Sequence, residues 1–144
     1  MTIGAVLREK GNTIVSVRPD TPLMELVATI ASRRIGAVLV LDDNGELAGI
    51  VSERDVVKAL SRQGPAIAAL AAGDIMTRTV TTVTPLTTIN EAMELMERGY
   101  FRHLPVLNEG KLVGIISVRD VVRARIERQL EETEGLRSYI HGRG

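Results

Sequence analysis

Ser52, Arg54 and Asp55 stand together in the run Ser-Glu-Arg-Asp, and Ser117, Arg119 and Asp120 in the run Ser-Val-Arg-Asp. A hydroxyl, a guanidinium and a carboxylate gathered within four residues suit recognition of a polar ligand. The hydroxyl can meet a ligand oxygen, the carboxylate a pair of sugar hydroxyls, and the guanidinium a phosphate. Each run follows apolar, β-branched residues that read as the end of a buried strand (Ile50 and Val51; Ile115 and Ile116) and opens a stretch that reads as a helix. Free N–H groups at such a turn already point outward and favour an anionic oxygen. Ser-x-x-Asp at a helix start also has a purely structural meaning: the hydroxyl accepts a first-turn N–H, and the carboxylate sits where the helix dipole favours negative charge. Duplication adds weight to the binding reading. Residues 49–57 (GIVSERDVV) and 114–122 (GIISVRDVV) agree at seven positions, with Asp55 and Asp120 65 residues apart.

The elements that must hold these turns also occur twice. Residues 13–17 read as a strand, and Pro19-Asp20-Thr21-Pro22 as a turn into a helix with Pro22 at its first position and Thr21 as cap. Leu23, Leu26, Val27 and Ile30 recur at the spacing of one buried helical face. Residues 37–41 form an apolar strand, Asp42-Asp43-Asn44-Gly45 a hairpin turn, and residues 47–51 the strand that delivers the first Ser-Glu-Arg-Asp. Val56, Val57 and Leu60 give the next helix an apolar side. The order strand, helix, strand, strand, helix then repeats: residues 80–83, a helix capped by Thr87 or Thr88 and bearing Ile89, Ala92, Met93 and Met96, residues 104–107, a turn at Glu109-Gly110, and residues 112–116. Between the units, residues 61–73 read as a linker with a short Ala-rich helix, and before them Ile3, Val6 and Leu7 are packing residues. Beyond Asp120 a long charged helix carries Val122, Ile126 and Leu130, with Gly135 expected to interrupt it before Leu136, Tyr139 and Ile140, apolar residues that call for a partner surface.

Composition bounds what such a molecule can do. A chain of 144 residues with 44% hydrophobic content can bury one core or two fused halves, and halves of roughly sixty residues lean on each other for stability. Lys plus Arg and Asp plus Glu both number 18, so no global field draws the protein to nucleic acid or to an anionic membrane, and any anion site is local. The absence of cysteine excludes a disulfide framework, an iron–sulfur cluster and a thiol nucleophile. Aromatics make up 2%, leaving almost no stacking platform for single-stranded nucleic acid. The first dozen residues hold too short an apolar run for a signal peptide, and no apolar span reaches the ~20 residues of a membrane helix, so a cytoplasmic location is expected.

Two strand-helix-strand-strand-helix units, each ending in Gly-Ile-x-Ser-x-Arg-Asp, with Arg102-His103-Leu104-Pro105-Val106 opening a strand, resemble a CBS (cystathionine-β-synthase-type) domain pair. The resemblance implies an α+β (α/β) fold of two βαββα repeats packed as a pseudo-twofold pair: repeats at 6–62 and 74–130, a linker at 63–73, and a helix and tail at 131–144. It further implies two clefts that take adenosine-containing ligands such as AMP, ADP, ATP, NAD or S-adenosylmethionine, with no cofactor required. By that resemblance Asp55 and Asp120 hold ribose hydroxyls, Ser52 and Ser117 contact ribose or phosphate, and Ile50 and Ile115 touch the base. One cleft would join Ser52, Arg54 and Asp55 to Val80, Thr81, Arg102, His103 and Leu104. The other would join Ser117, Arg119 and Asp120 to Ile14, Val15, Ile35, Gly36 and Ala37. Since Arg102-His103 corresponds to Gly36-Ala37, the first cleft is expected to be richer in charge and the better phosphate site, and the second smaller and more apolar.

Nothing else in the chain competes as a site. His103 and His141 are the sole histidines and provide no metal-ligand set. Met93 and Met96 fit helix-core spacing, the run Glu131-Glu132-Thr133-Glu134 reads as a solvated helix face, and Glu91, Glu94 and Glu97 form no acid–base pair. Ser117 has no base near neutrality and Ser52 has at most His103, so no nucleophile, base and oxyanion site converge and a non-enzyme is expected. Two functions follow. One is a regulatory sensor in which a nucleotide between the halves shifts a conformational equilibrium read by an unidentified partner protein, within a homodimer of domain pairs. The other is an interaction or assembly protein whose clefts are vestigial and whose repeated motif serves capping.

Overall fold

The computed structural model describes the backbone of residues 1–11 and 13–143 and the side chains of these up to residue 137. Tyr139, Ile140 and His141, and with them the expected partner surface at the tail, lie outside the described side chains.

Helix α1 (Ile3–Lys10) opens the chain. Thr2 caps it by accepting the Ala5 N–H, and Ile3, Val6 and Leu7 form its buried face. Strand β1 (Ser16–Val17) is shorter than residues 13–17 promised. Helix α2 (Leu23–Arg33) buries Leu23 and Leu26, with Val27 and Ile30 packed beside them. Its start differs from expectation. Pro22 is the cap residue rather than the first helical one, and the Thr21 hydroxyl accepts the Arg18 N–H instead of a helix N–H. Strands β2 (Ala37–Leu41) and β3 (Leu47–Ser52) pair antiparallel across the Asp42–Glu46 turn, while β1 joins β2 in parallel, giving a three-stranded sheet β1-β2-β3. Helix α3 (Glu53–Gln63) then leaves from Ser52.

A 3-10 turn (Gly64–Ala69) and the short α4 (Ala72–Ile75) make up the linker. Helix α5 (Ile89–Gly99) is capped by Thr88, whose hydroxyl accepts the Glu91 N–H while the Glu91 carboxylate reaches back, which decides between the two threonines. Strands β4 (His103–Asn108) and β5 (Lys111–Ser117) pair antiparallel. The expected strand at residues 80–83 contracts to Val83, which bridges β4 in parallel through the Pro105 carbonyl and the Leu107 N–H. It is confined from both sides: the Thr84 N–H turns to the Thr87 hydroxyl, and the backbone of Thr77 pairs with Ile50 in the other unit. Helix α6 (Val118–Arg143) runs unbroken through Gly135, so the expected interruption is absent. A mid-helix glycine costs about 1 kcal/mol relative to alanine, too little to stop a helix.

The two cores reveal an exchange. Leu23, Leu26, Val40, Val51 and Ala59 of the first unit are completed by Ile67 and Ala72 from the linker. Ile89, Ala92, Met96, Leu104, Val106, Ile116 and Val121 of the second are completed by Ile3, Val6 and Leu7 from the start of the chain. The two lead-ins dock alike. The Ile3 N–H donates to the Thr87 carbonyl and Gly4 to Pro85, and correspondingly Ala72 donates to Thr21 and Gly73 to Pro19, all at 2.8 to 2.9 Å. A Cβ on Gly4 or Gly73 would lie 3.0 or 3.1 Å from the carbonyl oxygen of Pro85 or Pro19, so backbone meets backbone at these two glycines. The pseudo-twofold relation therefore extends into segments with little obvious sequence likeness.

Candidate ligand-binding clefts

Both Ser-x-x-Asp turns are complete capping boxes. At the first, the Ser52 hydroxyl accepts the Asp55 N–H at 3.2 Å, and Asp55 Oδ2 accepts the Ser52 N–H at 2.9 Å and its hydroxyl at 3.1 Å. At the second, the corresponding distances are 3.2, 2.9 and 2.9 Å between Ser117 and Asp120. The structural reading of the motif thus holds in both copies, and each carboxylate keeps an oxygen, Oδ1, that the box leaves open.

The strand just before each turn alternates between core and cleft. Val51 and Ile116 are buried in the two cores, which puts their half-buried neighbours Ile50 and Ile115 on the opposite face. Arg54 and Arg102 both line one groove of about 470 Å³, with Glu97, Tyr100, Phe101 and the α6 residues Val118, Val121 and Val122; Ser52 and Asp55 are not among its lining residues. Leu104 is fully buried in the second core, so its side chain does not face a cleft as expected, and Ala37 is likewise buried. Ile14, Val15, Ile35, Gly36, Val80 and Thr81 are half-buried in the segments leading to the sheets, and Arg119 is exposed at the start of α6. A second groove, of about 440 Å³ between Met1, Asn90, Arg125 and Glu132, lies away from both turns.

His103 opens β4 and reaches across to the first unit. A Cβ on Gly36 would stand 2.9 Å from its Cε1 atom, so the imidazole lies against the first unit where a glycine makes room for it. Burial pushes its pKa down, and the charge of Lys10 and more weakly that of Arg102 act in the same direction, opposed by Asp120 and Glu53. Its charged neighbours belong to both turns, so it is a residue of the boundary between the clefts rather than of the first alone.

Lys10 was not legible as a site residue. Its ammonium donates to Asp120 Oδ2 at 2.6 Å and to the Ile115 carbonyl at 2.9 Å. Burial pushes the Asp120 carboxyl up, but hydrogen bonds from Lys10 and Ser117 outweigh it and hold the pKa below its ordinary value. A cation thus stands at the second turn, where the smaller and more apolar cleft is expected. Asp55, by contrast, has no ion pair among the described residues and meets only the Thr77 hydroxyl beyond its own box, at 3.4 Å.

The family model for the CBS domain matches residues 11–62 and 72–127, one match on each unit. The chain belongs to the CBS-domain family. It is 34% identical over 149 residues to the mitochondrial CBS domain-containing protein CBSX3 of Arabidopsis thaliana, covering 98% of this chain and 72% of that protein. It spans about a quarter of several longer curated relatives. Among solved structures, the CBS-domain protein ATU1752 of Agrobacterium tumefaciens superposes with a TM-score of 0.84 at 41% identity, over 86% of this chain and 92% of that one. CBSX2, solved in complex with AMP, superposes with a TM-score of 0.74 at 28% identity, over 89% and 98% of the two chains. The fold is that of a CBS domain pair. Among the described residues no helix is long and apolar enough to cross a membrane.

Proposed function

We propose that this CBS pair is a regulatory module that binds an adenine nucleotide between its repeats and signals occupancy to a partner protein. The observation that carries the proposal is a groove lined by two guanidiniums, one from each unit: Arg54, the neighbour of Asp55 in the first turn, and Arg102, beside Val118 at the start of α6. A phosphate there would be shared by two guanidiniums from opposite halves, and a ribose on Asp55 would tie that charge to the capping box. A ligand spanning both units binds best when they are correctly apposed, which is the differential affinity that a switch requires. The AMP complex of CBSX2 supports the choice of ligand class. Binding rather than catalysis is the proposed mode, because each serine hydroxyl and its aspartate are tied to one another and to backbone N–H groups in a capping box.

The test is thermal unfolding with AMP, ADP, ATP, NAD and S-adenosylmethionine. At a concentration ~100 times its dissociation constant a true ligand adds about 2.7 kcal/mol, a shift of several degrees. Asp55→Ala should abolish the shift, and Arg102→Ala should reduce it most for the ligand with most phosphates. The complete capping boxes favour a second reading, in which the motif serves folding alone and the protein assembles partners. Under it Asp55→Ala lowers the melting temperature and no nucleotide moves it in either protein.

A further inference from the structure

The two lead-in segments enter alike and then part. After Gly73, α4 ends at Ile75, Met76 turns extended, and Thr77 pairs its backbone with Ile50 in both directions, at 2.9 and 3.0 Å. After Gly4, α1 stays helical for more than a further turn, to Lys10, and closes at Gly11, whose N–H donates to the Leu7 carbonyl. Arg8, the positional counterpart of Thr77, lies inside that helix and makes no such pairing with Ile115. The Ile115 carbonyl is reached instead by a side chain. One ammonium joins it to Asp120, reaching from the exposed end of α1 to the strand end and helix start of the second turn.

We propose that Lys10 is a built-in occupant of the second cleft, closing the Ser117 and Asp120 turn to nucleotide, so that each chain binds a single nucleotide, at the Ser52 and Asp55 turn. The proposal rests on the nucleotide-sensing reading above and decides which half of the pair does the sensing. A ribose approaching Asp120 must compete with an ammonium that is tethered to the chain and holds two acceptors of the turn at once, Asp120 Oδ2 and the Ile115 carbonyl. Displacing Lys10 would also leave the Ile115 carbonyl without that donor. Asp55 carries no such occupant: among the described residues its one side-chain contact outside the box is the long bond from Thr77, and its neighbour in the chain, Arg54, lines with Arg102 the groove where a phosphate would lie.

Isothermal titration of the full chain with AMP, and separately with ATP, tests this in the wild type, Lys10→Met, Asp55→Ala and the double variant. Lys10→Gln, which keeps a hydrogen-bond donor, stands in if the methionine variant does not fold. The expected stoichiometries are one nucleotide per chain in the wild type, none in Asp55→Ala, two in Lys10→Met, and one in the double variant. Two sites in the wild type, or unchanged stoichiometry after removal of Lys10, overturns the closure while leaving the nucleotide reading intact. Loss of a site in Lys10→Met also overturns it and makes Lys10 a phosphate ligand. Binding only in the variants lacking Lys10 supports the closure and removes the Asp55 site. No binding in any of the four overturns the nucleotide reading and the closure with it.

Discussion

His103 shows how one side chain can belong to two sites at once. Its ring fills the space left by Gly36, between the Glu53 end of one turn and the Lys10–Asp120 pair of the other. Because its folded pKa lies below the ordinary value of about 6.5, the unfolded chain takes up a proton first as pH falls. The stability it confers is present above pH ~6.5 and is lost as pH drops from there toward the lowered folded value. Asp120 has a lowered pKa too, so its contribution persists above the usual carboxylate range and disappears only in more acidic solution, below about pH 4. Denaturant unfolding from pH 8 to pH 5 is expected to show the first decline in the wild type and a flatter profile in His103→Asn. An unchanged slope in that variant would place the decline on another group.

At the scale of elements, the lead-in segments rest on close backbone approach. Gly73→Ala would push a methyl onto the Pro19 carbonyl region, and an overpacked contact of this kind costs about 1–3 kcal/mol. Gly135 has open space around it inside α6, so Gly135→Ala should raise helix content by circular dichroism and stabilise that helix by about 1 kcal/mol. A fall in melting temperature for the first and a gain in helicity for the second check both. Much of this architecture was readable in advance. The 3.6-residue spacing of Leu23, Leu26, Val27 and Ile30, the Asn44-Gly45 turn and the repeated Ser-x-Arg-Asp are local signals, and each names its own element. What stayed hidden is non-local. Lys10 reaches Asp120 across 110 positions of chain, and no spacing near Lys10 announces it. The likeness of α1 to the linker is hidden for a related reason: the two share little beyond a glycine followed by two apolar side chains, Val6 and Leu7 or Ile75 and Met76. Leu104, which the family resemblance assigns to a cleft, is buried in the second core with Val106, and no local spacing distinguishes the two roles.

For the whole molecule, the apolar residues left uncovered have a symmetric component. Val57 on α3 and Val122 on α6 are positional counterparts, exposed by 63% and 42%, and Leu60, Ile126 and Leu130 extend the same two helices with exposed apolar side chains. A homodimer that pairs these helices across a twofold axis is the expected assembly, since an isologous contact uses one patch on both copies, and through Val122 it would bring the second copy to the groove lined by Arg54 and Arg102. Light scattering on the eluting peak should give a dimer for the wild type and a monomer for Val57→Glu combined with Ile126→Glu; a monomeric wild type would leave the uncovered side chains to another partner. The crossed lead-ins have a different consequence, for descent rather than assembly. A lone repeat carrying its own lead-in has nowhere to dock that segment except on a second copy, and two such copies would satisfy each other by exchange. The present chain has the geometry of that swapped pair with its ends joined, so a gene fusion could have preserved an older two-chain handshake without having to invent a new contact.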